Sequence, residues 1–170
     1  MIVLAILVAQ ALASVISSPE LGKAEGRCRS PERGSAFIVQ IEGLKDRKGR
    51  LKLELYPAND ADFLADDDVL VNAGKPFRRV EMAPPANGSV ELCIRAPGPG
   101  TYVLSLLHDR DGNRKFGLSS DGIGFSGNPK LGWSKPKVAT VAIRIGGEPT
   151  RLRIMMNYRR GLMSFGPLDR

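Results

Sequence analysis

Beyond residue 34, apolar and polar side chains alternate in short runs separated by turn residues. Phe37, Val39 and Ile41 alternate with Ile38, Gln40 and Glu42; Leu51, Leu53 and Leu55 with Lys52 and Glu54; Val90, Leu92 and Ile94 with Glu91, Cys93 and Arg95. A period of two is the side-chain period of a strand with one buried face. The pattern predicts strands at 37–42, 51–55, 89–95, 101–107, 138–145 and 150–158, with weaker ones at 69–71 and 77–82. The polar stretch 45–49 turns the first two into a hairpin. In 101–107, Tyr102, Leu104 and Leu106 alternate with Val103, Ser105 and Leu107, a nearly all-apolar strand that runs straight into a polar, turn-rich loop from His108 to residue 130.

The last two strands carry a register. With Gly146-Gly147-Glu148-Pro149 as the turn, Ile145 opposes Thr150, Ile143 opposes Leu152 and Val141 opposes Ile154, while Arg144 and Ala142 face Arg151 and Arg153. One face is then buried and the other basic, with Arg159 and Arg160 just beyond. About seven such strands, without a long helical period, predict an all-β fold: an antiparallel two-sheet sandwich. One short helix is expected at 59–65, where Asn59 and Asp60 can cap free amides and Phe63 and Leu64 supply an apolar contact.

Length and composition fit that picture. A chain of 170 residues is one domain, and its 19 Gly and 12 Pro, beside 42% hydrophobic residues, read as many turns rather than disorder. Residues 1–16 hold no charge, and Ala11-Leu12-Ala13 fits the small-x-small rule of signal peptidase. We expect a signal peptide at 1–13, extending as far as 18 in an alternative reading, with a retained N-terminal anchor as the other. An arm at 14–34, the sandwich at 35–160 and a tail at 161–170 follow. Arg27 stands where lipidation of Cys28 would want a small residue. Export makes the protein periplasmic or secreted and the two cysteines, Cys28 and Cys93, a disulfide pair. Cys93 points away from the core, so the bond staples an otherwise floppy arm across the outer face of a sheet.

The net charge of +7 attracts anionic surfaces. Outside the cytoplasm these are lipopolysaccharide, acidic polysaccharide or anionic lipid, and Arg144, Arg151, Arg153 and Arg159 are the candidate anion contacts. Nucleic acid is excluded as a partner because stacking aromatics are not interleaved with the arginines.

Candidate chemistry concentrates in the 108–130 loop. Asp109, Asp111 and Asn113 fall at alternate positions, as oxygen ligands do in calcium loops, but Arg114 takes the place of the required Gly and Ser120 that of the bidentate acid. Asp-x-Asp-Gly-Asn is also good turn chemistry without an ion. Turn chemistry is the preferred reading, no cofactor is expected, and calcium at Asp109, Asp111 and Asn113 is the alternative. Gly122-Ile123-Gly124-Phe125-Ser126-Gly127 matches the dinucleotide fingerprint in letters only, since Asn128-Pro129 follows where a helix should start; a flexible loop is expected there. His108 is the sole histidine, which rules out a multi-histidine zinc site, and at a strand end it reads as a hydrogen-bonded corner residue.

Pro99-Gly100-Thr101-Tyr102, His108-Asp109, Gly112-Asn113, Lys115-Phe116 and Gly122-x-Gly124-Phe125-Ser126-x-Asn128-Pro129 resemble the bacterial exported family of domain of unknown function 2141. Cys28 and Cys93 resemble the cysteine pair of one of its branches. The resemblance spans 28–158 and implies a periplasmic or secreted sandwich similar to transthyretin-like and immunoglobulin-like modules, with no established enzyme activity. The chain departs from the pattern at Gly117, where the family usually has an aspartate and a longer loop, which puts any family metal site in doubt. The leading functional expectation is a non-enzymatic envelope module that binds or supports an anionic component through its basic sheet face or the 108–130 loop. The alternative is a carbohydrate- or calcium-binding domain, or an enzyme, centred on Tyr102, His108, Asp109, Asp111, Asn113 and Trp133, for which a cleft near the loop is the discriminating observation.

Overall fold

The structure, a computed structural model, describes residues 13–162 and 164–168; the expected signal peptide lies almost wholly outside them. In chain order the elements are α1 (Lys23–Gly26), β1 (Ala36–Glu42), β2 (Arg50–Pro57), α2 (Asp67–Asn72), β3 (Arg78–Met82), β4 (Val90–Arg95), β5 (Gly100–Asp109), β6 (Gly122–Phe125), α3 (Val138–Val141), β7 (Ala142–Ile145), β8 (Thr150–Met155), β9 (Tyr158–Arg160) and β10 (Ser164–Gly166). The protein is an all-β sandwich. One sheet has the order β4-β1-β8; the other runs β3-β2-β5, with β6 and β7 sharing the far side of β5, and β9 pairs with β10 as a separate ribbon.

Between the sheets, Phe37, Val39 and Ile41 meet Leu51, Leu53 and Leu55, with Val90, Leu92, Ile94, Leu104, Leu106 and Ile154 filling the layer. A second apolar cluster covers the outer face of the five-stranded sheet. There Tyr56, Val103 and Phe125 receive Phe63, Leu70 and Phe77 from one side and Val138 and Val141 from the other. That second layer explains why β5 is apolar on both faces: a strand buried on both sides cannot alternate.

Residues 45–49 do not close the expected hairpin: β1 pairs with β4 and β8, whereas β2 pairs with β3 and β5, so the chain changes sheets there. Three further sequence expectations are corrected. First, the expected helix at 59–65 is a single turn. Asn59 does cap it, its Oδ1 accepting from the Asp62 amide at 2.9 Å, but Leu64 adopts φ 62° and ends it at once. The helix forms instead at α2, where a strand was expected at 69–71. Asp67 and Asp68 lie in its first turn, where negative charge suits a helix N-terminus.

Second, β7 and β8 do not form the basic hairpin. β7 pairs with β5, placing Arg144 opposite Thr101, whereas β8 pairs with β1 in parallel, placing Arg151 opposite Ile38 and Arg153 opposite Gln40. Residues 146–149 thus cross from one sheet to the other. Ile145 and Ile154 do share a core, but they reach it from opposite sheets, so the alternation reported the buried face correctly and the partner wrongly. Residues 138–141 are helical, and β7 is correspondingly shorter than expected. Arg151 pairs with Glu91 at 2.6 Å and Arg153 with Glu42 at 3.5 Å, so the outer face of the three-stranded sheet is mixed in charge rather than basic.

Third, the arm is not a loose strap. Gly22 O accepts from the Arg79 amide at 3.1 Å, so α1 closes the edge of β3, and Arg27 bridges to Ile94 at the edge of β4. The expected Cys28–Cys93 disulfide is present, spanning 65 residues and fixing this covering in place. A closed loop of that size constrains the unfolded chain by about 4 kcal/mol. Beneath the arm, Arg79 binds Glu54 (2.7 Å) and Asp67 (3.1 Å), and Tyr56 donates to Glu54 (2.8 Å), all of them buried. Asp67 therefore belongs to a buried ionic network, not to a solvated acidic run. Among the described residues no helix is long and apolar enough to cross a membrane.

Candidate functional site

Two regions lie beside the long loop that follows β5: its polar hinge and an apolar groove.

The hinge begins at His108, which is fully buried. Its Nε2 lies 2.8 Å from the Lys48 carbonyl, which can only accept; Nε2 therefore carries the proton, and Nδ1 accepts from the Tyr158 hydroxyl at 2.6 Å. Tyr158 in turn accepts from the Lys45 amide at 3.1 Å. Burial lowers the His108 pKa, the Lys48 bond and nearby Asp46 opposing it, and raises that of Tyr158 to about 12. A neutral imidazole with both nitrogens bonded inside the protein has no proton to exchange with a bound molecule. Beside it, Arg110 grips Asp46 with Nε and Nη2 (3.0 and 2.5 Å), and this bond holds the Asp46 carboxyl down at about 2.

The loop carboxylates are occupied locally. Asp109 accepts from the Gly112 and Arg114 amides, both at 2.9 Å; Asp121 accepts from Arg110 N (2.9 Å) and Gly117 N (2.8 Å); Asp111 accepts from Asn113 N, and Asn113 from Lys115 N. Asp109, Asp111 and Asp121 bring carboxylate oxygens within 4.8 Å of one another, so a third acid, Asp121, joins the two named from the sequence, and Asn113 Nδ2 donates to Asp111 Oδ2 at 3.0 Å. Their arrangement is that of nested Asx turns. Tyr102 stands apart in the core, its ring edge-on to Phe37 and its hydroxyl donating to Gly98 O at 3.1 Å. The expected constellation of Tyr102, His108, Asp109 and Trp133 does not assemble around one space.

What adjoins the loop is a groove of about 370 Å³ lined by Leu64, Phe116, Leu118, Ile123, Phe125, Leu131, Trp133 and Phe165, among others. Phe125 and Ile123 come from β6, and the strained turn at Leu64 forms one wall. Phe116 meets Phe165 of β10 edge-on at 6.0 Å. The segment carrying Trp133 is pinned by Lys135, whose Nζ donates to the Asp60 and Phe63 carbonyls at 2.9 and 2.8 Å, and by the Val138 amide, which donates to Asp60 Oδ1 at 3.1 Å. Trp133 is 62% exposed, Phe116 43%, Leu118 39% and Leu64 37%. Of these, the sequence offers only Trp133 as a candidate ligand contact; Phe116 and Leu118 could have been found as isolated large apolar residues in an otherwise polar loop.

Residues 39–153 match the sequence pattern of a family described as an uncharacterised protein conserved in bacteria, DUF2141. The chain belongs to this DUF2141 family. No curated protein and no solved structure matches it.

The residues that carry the DUF2141 resemblance have structural tasks here. A Cβ on Gly122 would sit 2.3 Å from the Tyr158 ring, and one on Gly124 would sit 2.6 Å from Ile154 Cγ2. The glycines therefore let β8 and β9 close over β6; the run is a strand, not the flexible loop expected. Ser126, just past β6, ties the edge of β5 to the end of α3: its hydroxyl accepts from Leu104 N at 3.0 Å and donates to Val141 O at 2.5 Å. The Asn128 carboxamide pairs with the free edge of β8, donating to Arg153 O (3.0 Å) and accepting from Met155 N (2.8 Å). Gly117, the point of departure from the family pattern, donates its amide to Asp121 and so closes the shortened loop.

Proposed function

We propose that the protein is an exported, non-enzymatic binding module of the bacterial envelope, and that it takes an anionic envelope component at the groove bounded by Leu64, Phe116, Leu118 and Trp133. The observation that carries this reading is the convergence of four exposed large apolar side chains on one depression whose described lining contains no carboxylate. Apolar surface left in water and gathered in one place marks an interaction site. Lys130 and Lys137 line the adjoining depression, again without an acid, and charge of one sign around an apolar patch selects ligands of the other. Export is supported by the uncharged apolar N-terminal segment and by the disulfide, which an oxidising compartment maintains. The buried, doubly bonded state of His108 supports a binding role over an acid–base one.

Retention on immobilised lipopolysaccharide and on alginate, at rising salt, tests the reading. Binding that weakens with salt and falls about tenfold in the double variant Lys130→Glu, Lys137→Glu is expected. Equal retention of the variant, or retention indifferent to salt, would overturn it.

A further inference from the structure

The groove supports a narrower statement, which rests on the binding reading above. We infer that its partner is the surface of an anionic lipid bilayer, into whose interfacial layer Trp133, Phe116 and Leu118 insert while Lys130 and Lys137 meet lipid phosphates.

A small-molecule pocket encloses its ligand and covers its own aromatics. Here the largest side chain stands 62% exposed at the rim, and Phe116 and Leu118 stand out beside it. Such a shape fits an extended partner that itself offers an apolar layer. Indole and phenyl rings favour the depth of a membrane where headgroups give way to acyl chains, because one end of the ring is apolar and the other can stay hydrated. Among the described residues the Trp133 indole has no hydrogen-bond partner.

Charge adds the second, independent argument. Three depressions meet along this side of the molecule, all sharing Leu131, and their described linings hold Lys130, Lys135 and Lys137 with no carboxylate. Elsewhere acids and bases are interspersed, as in the pairs Arg151–Glu91, Arg153–Glu42, Lys75–Asp62 and Arg95–Glu32. A one-signed basic rim around an apolar wedge is the composition that anionic membrane surfaces attract. The wedge is also preorganised, since Lys135 and Val138 hold its segment to the turn around Asp60 and little freedom remains to be lost on docking.

Trp133 is the only tryptophan of the chain, so its emission reports this site alone. The full chain is mixed with phosphatidylcholine vesicles, with vesicles containing phosphatidylglycerol, and with the same vesicles carrying lipids brominated high on the acyl chain. The expected result is a blue shift and bromolipid quenching on the anionic vesicles, abolished by high salt. In the double variants Lys130→Glu, Lys137→Glu and Phe116→Ser, Leu118→Ser, with unchanged circular dichroism, half-maximal quenching should need about tenfold more lipid. Retention on lipopolysaccharide or alginate with no quenching of Trp133 on anionic vesicles would overturn insertion and leave the broader reading standing. Failure on every anionic support would remove both. Equal quenching on phosphatidylcholine, unaffected by the lysine variant, would show that no anionic headgroup is needed and overturn the inference.

Discussion

The hinge at His108 and the groove at Trp133 lie on either side of the same loop, and they are opposites. At the hinge nearly every residue type associated with chemistry is present: a histidine, a tyrosine, three aspartates and an arginine. Each has its polar atoms bonded to the chain itself, with His108 between Tyr158 and Lys48, and Asp109 and Asp121 on backbone amides. At the groove the side chains are chemically inert, yet they remain in water. Reactive residue types identify a site only when some of their bonding capacity is left over, and here the remainder is apolar surface.

The sharpest way to break this contrast is to empty each region in turn. His108→Ala removes a fully buried ring, leaves the Tyr158 hydroxyl proton without its acceptor and the Lys48 carbonyl without the imidazole donor, and should destabilise the protein by about 3 kcal/mol or more. Trp133→Ala, at an exposed rim, should change stability by no more than about 0.5 kcal/mol. Urea unfolding measures both, and a loss at Trp133 comparable to that at His108 would make the groove part of the core.

A second comparison asks whether the acidic loop is held by its turns or by an ion. Asp109→Ala strips two amides, Gly112 and Arg114, of their acceptor and should cost about 1–3 kcal/mol. Millimolar calcium or EDTA should leave the melting temperature of the unaltered protein where it is. A shift of several degrees would assign the cluster of Asp109, Asp111 and Asp121 to a cation and sink the account by turns alone.

The hinge also has an acid-dependent signature. Burial keeps His108 neutral when folded, so its folded pKa lies below the unfolded value near 6.5. Above that pH both states are neutral and stability is unaffected; as pH falls below it the unfolded chain takes the proton first and stability declines. Asp46, held at about 2, adds a loss of the same sign at lower pH, beginning as the pH falls through the unfolded value near 4. Denaturant midpoints at pH 7.5 and 5.5 should therefore differ, and His108→Gln should flatten that difference. A wild-type midpoint that does not move between these values contradicts a buried neutral imidazole.

Much of this could be read from the chain. The faces of β1, β2 and β4, the nearly all-apolar run of β5 and the corner role of His108 follow from local alternation and turn residues, because those signals lie within a few residues of what they predict; the disulfide follows from there being two cysteines to pair. What failed depends on distant partners. Val69 and Leu70 look like a strand until the Asp66–Asp68 turn and Arg79, which pairs with Asp67, are placed together. The strands that carry Ile145 and Ile154 look like the two arms of a hairpin because both face one core, and nothing within 146–149 says that the chain there changes sheets. The groove was hidden for the same reason: Leu64, the Phe116 and Leu118 pair, Trp133 and Phe165 come from four distant parts of the chain.

The smallest expected effect bears on that misread hairpin. Were Arg144, Arg151 and Arg153 gathered on one outer face, replacing two of them would relieve repulsion and weaken any anion contact. They are not gathered: Arg144 belongs to the other sheet, Arg151 has Glu91 and Arg153 has Glu42. Both ion pairs involve arginines 71% exposed, and pairs of that kind contribute between nothing and about 1 kcal/mol. Arg151→Gln with Arg153→Gln should therefore lower stability slightly rather than raise it, and should leave adsorption to anionic vesicles at low salt nearly unchanged, whereas Lys130→Glu with Lys137→Glu should weaken it. Measured side by side on the same vesicles, the two double variants decide which surface the protein presents. A large loss of adsorption from the arginine pair would return the binding face to the three-stranded sheet and leave the groove without a partner.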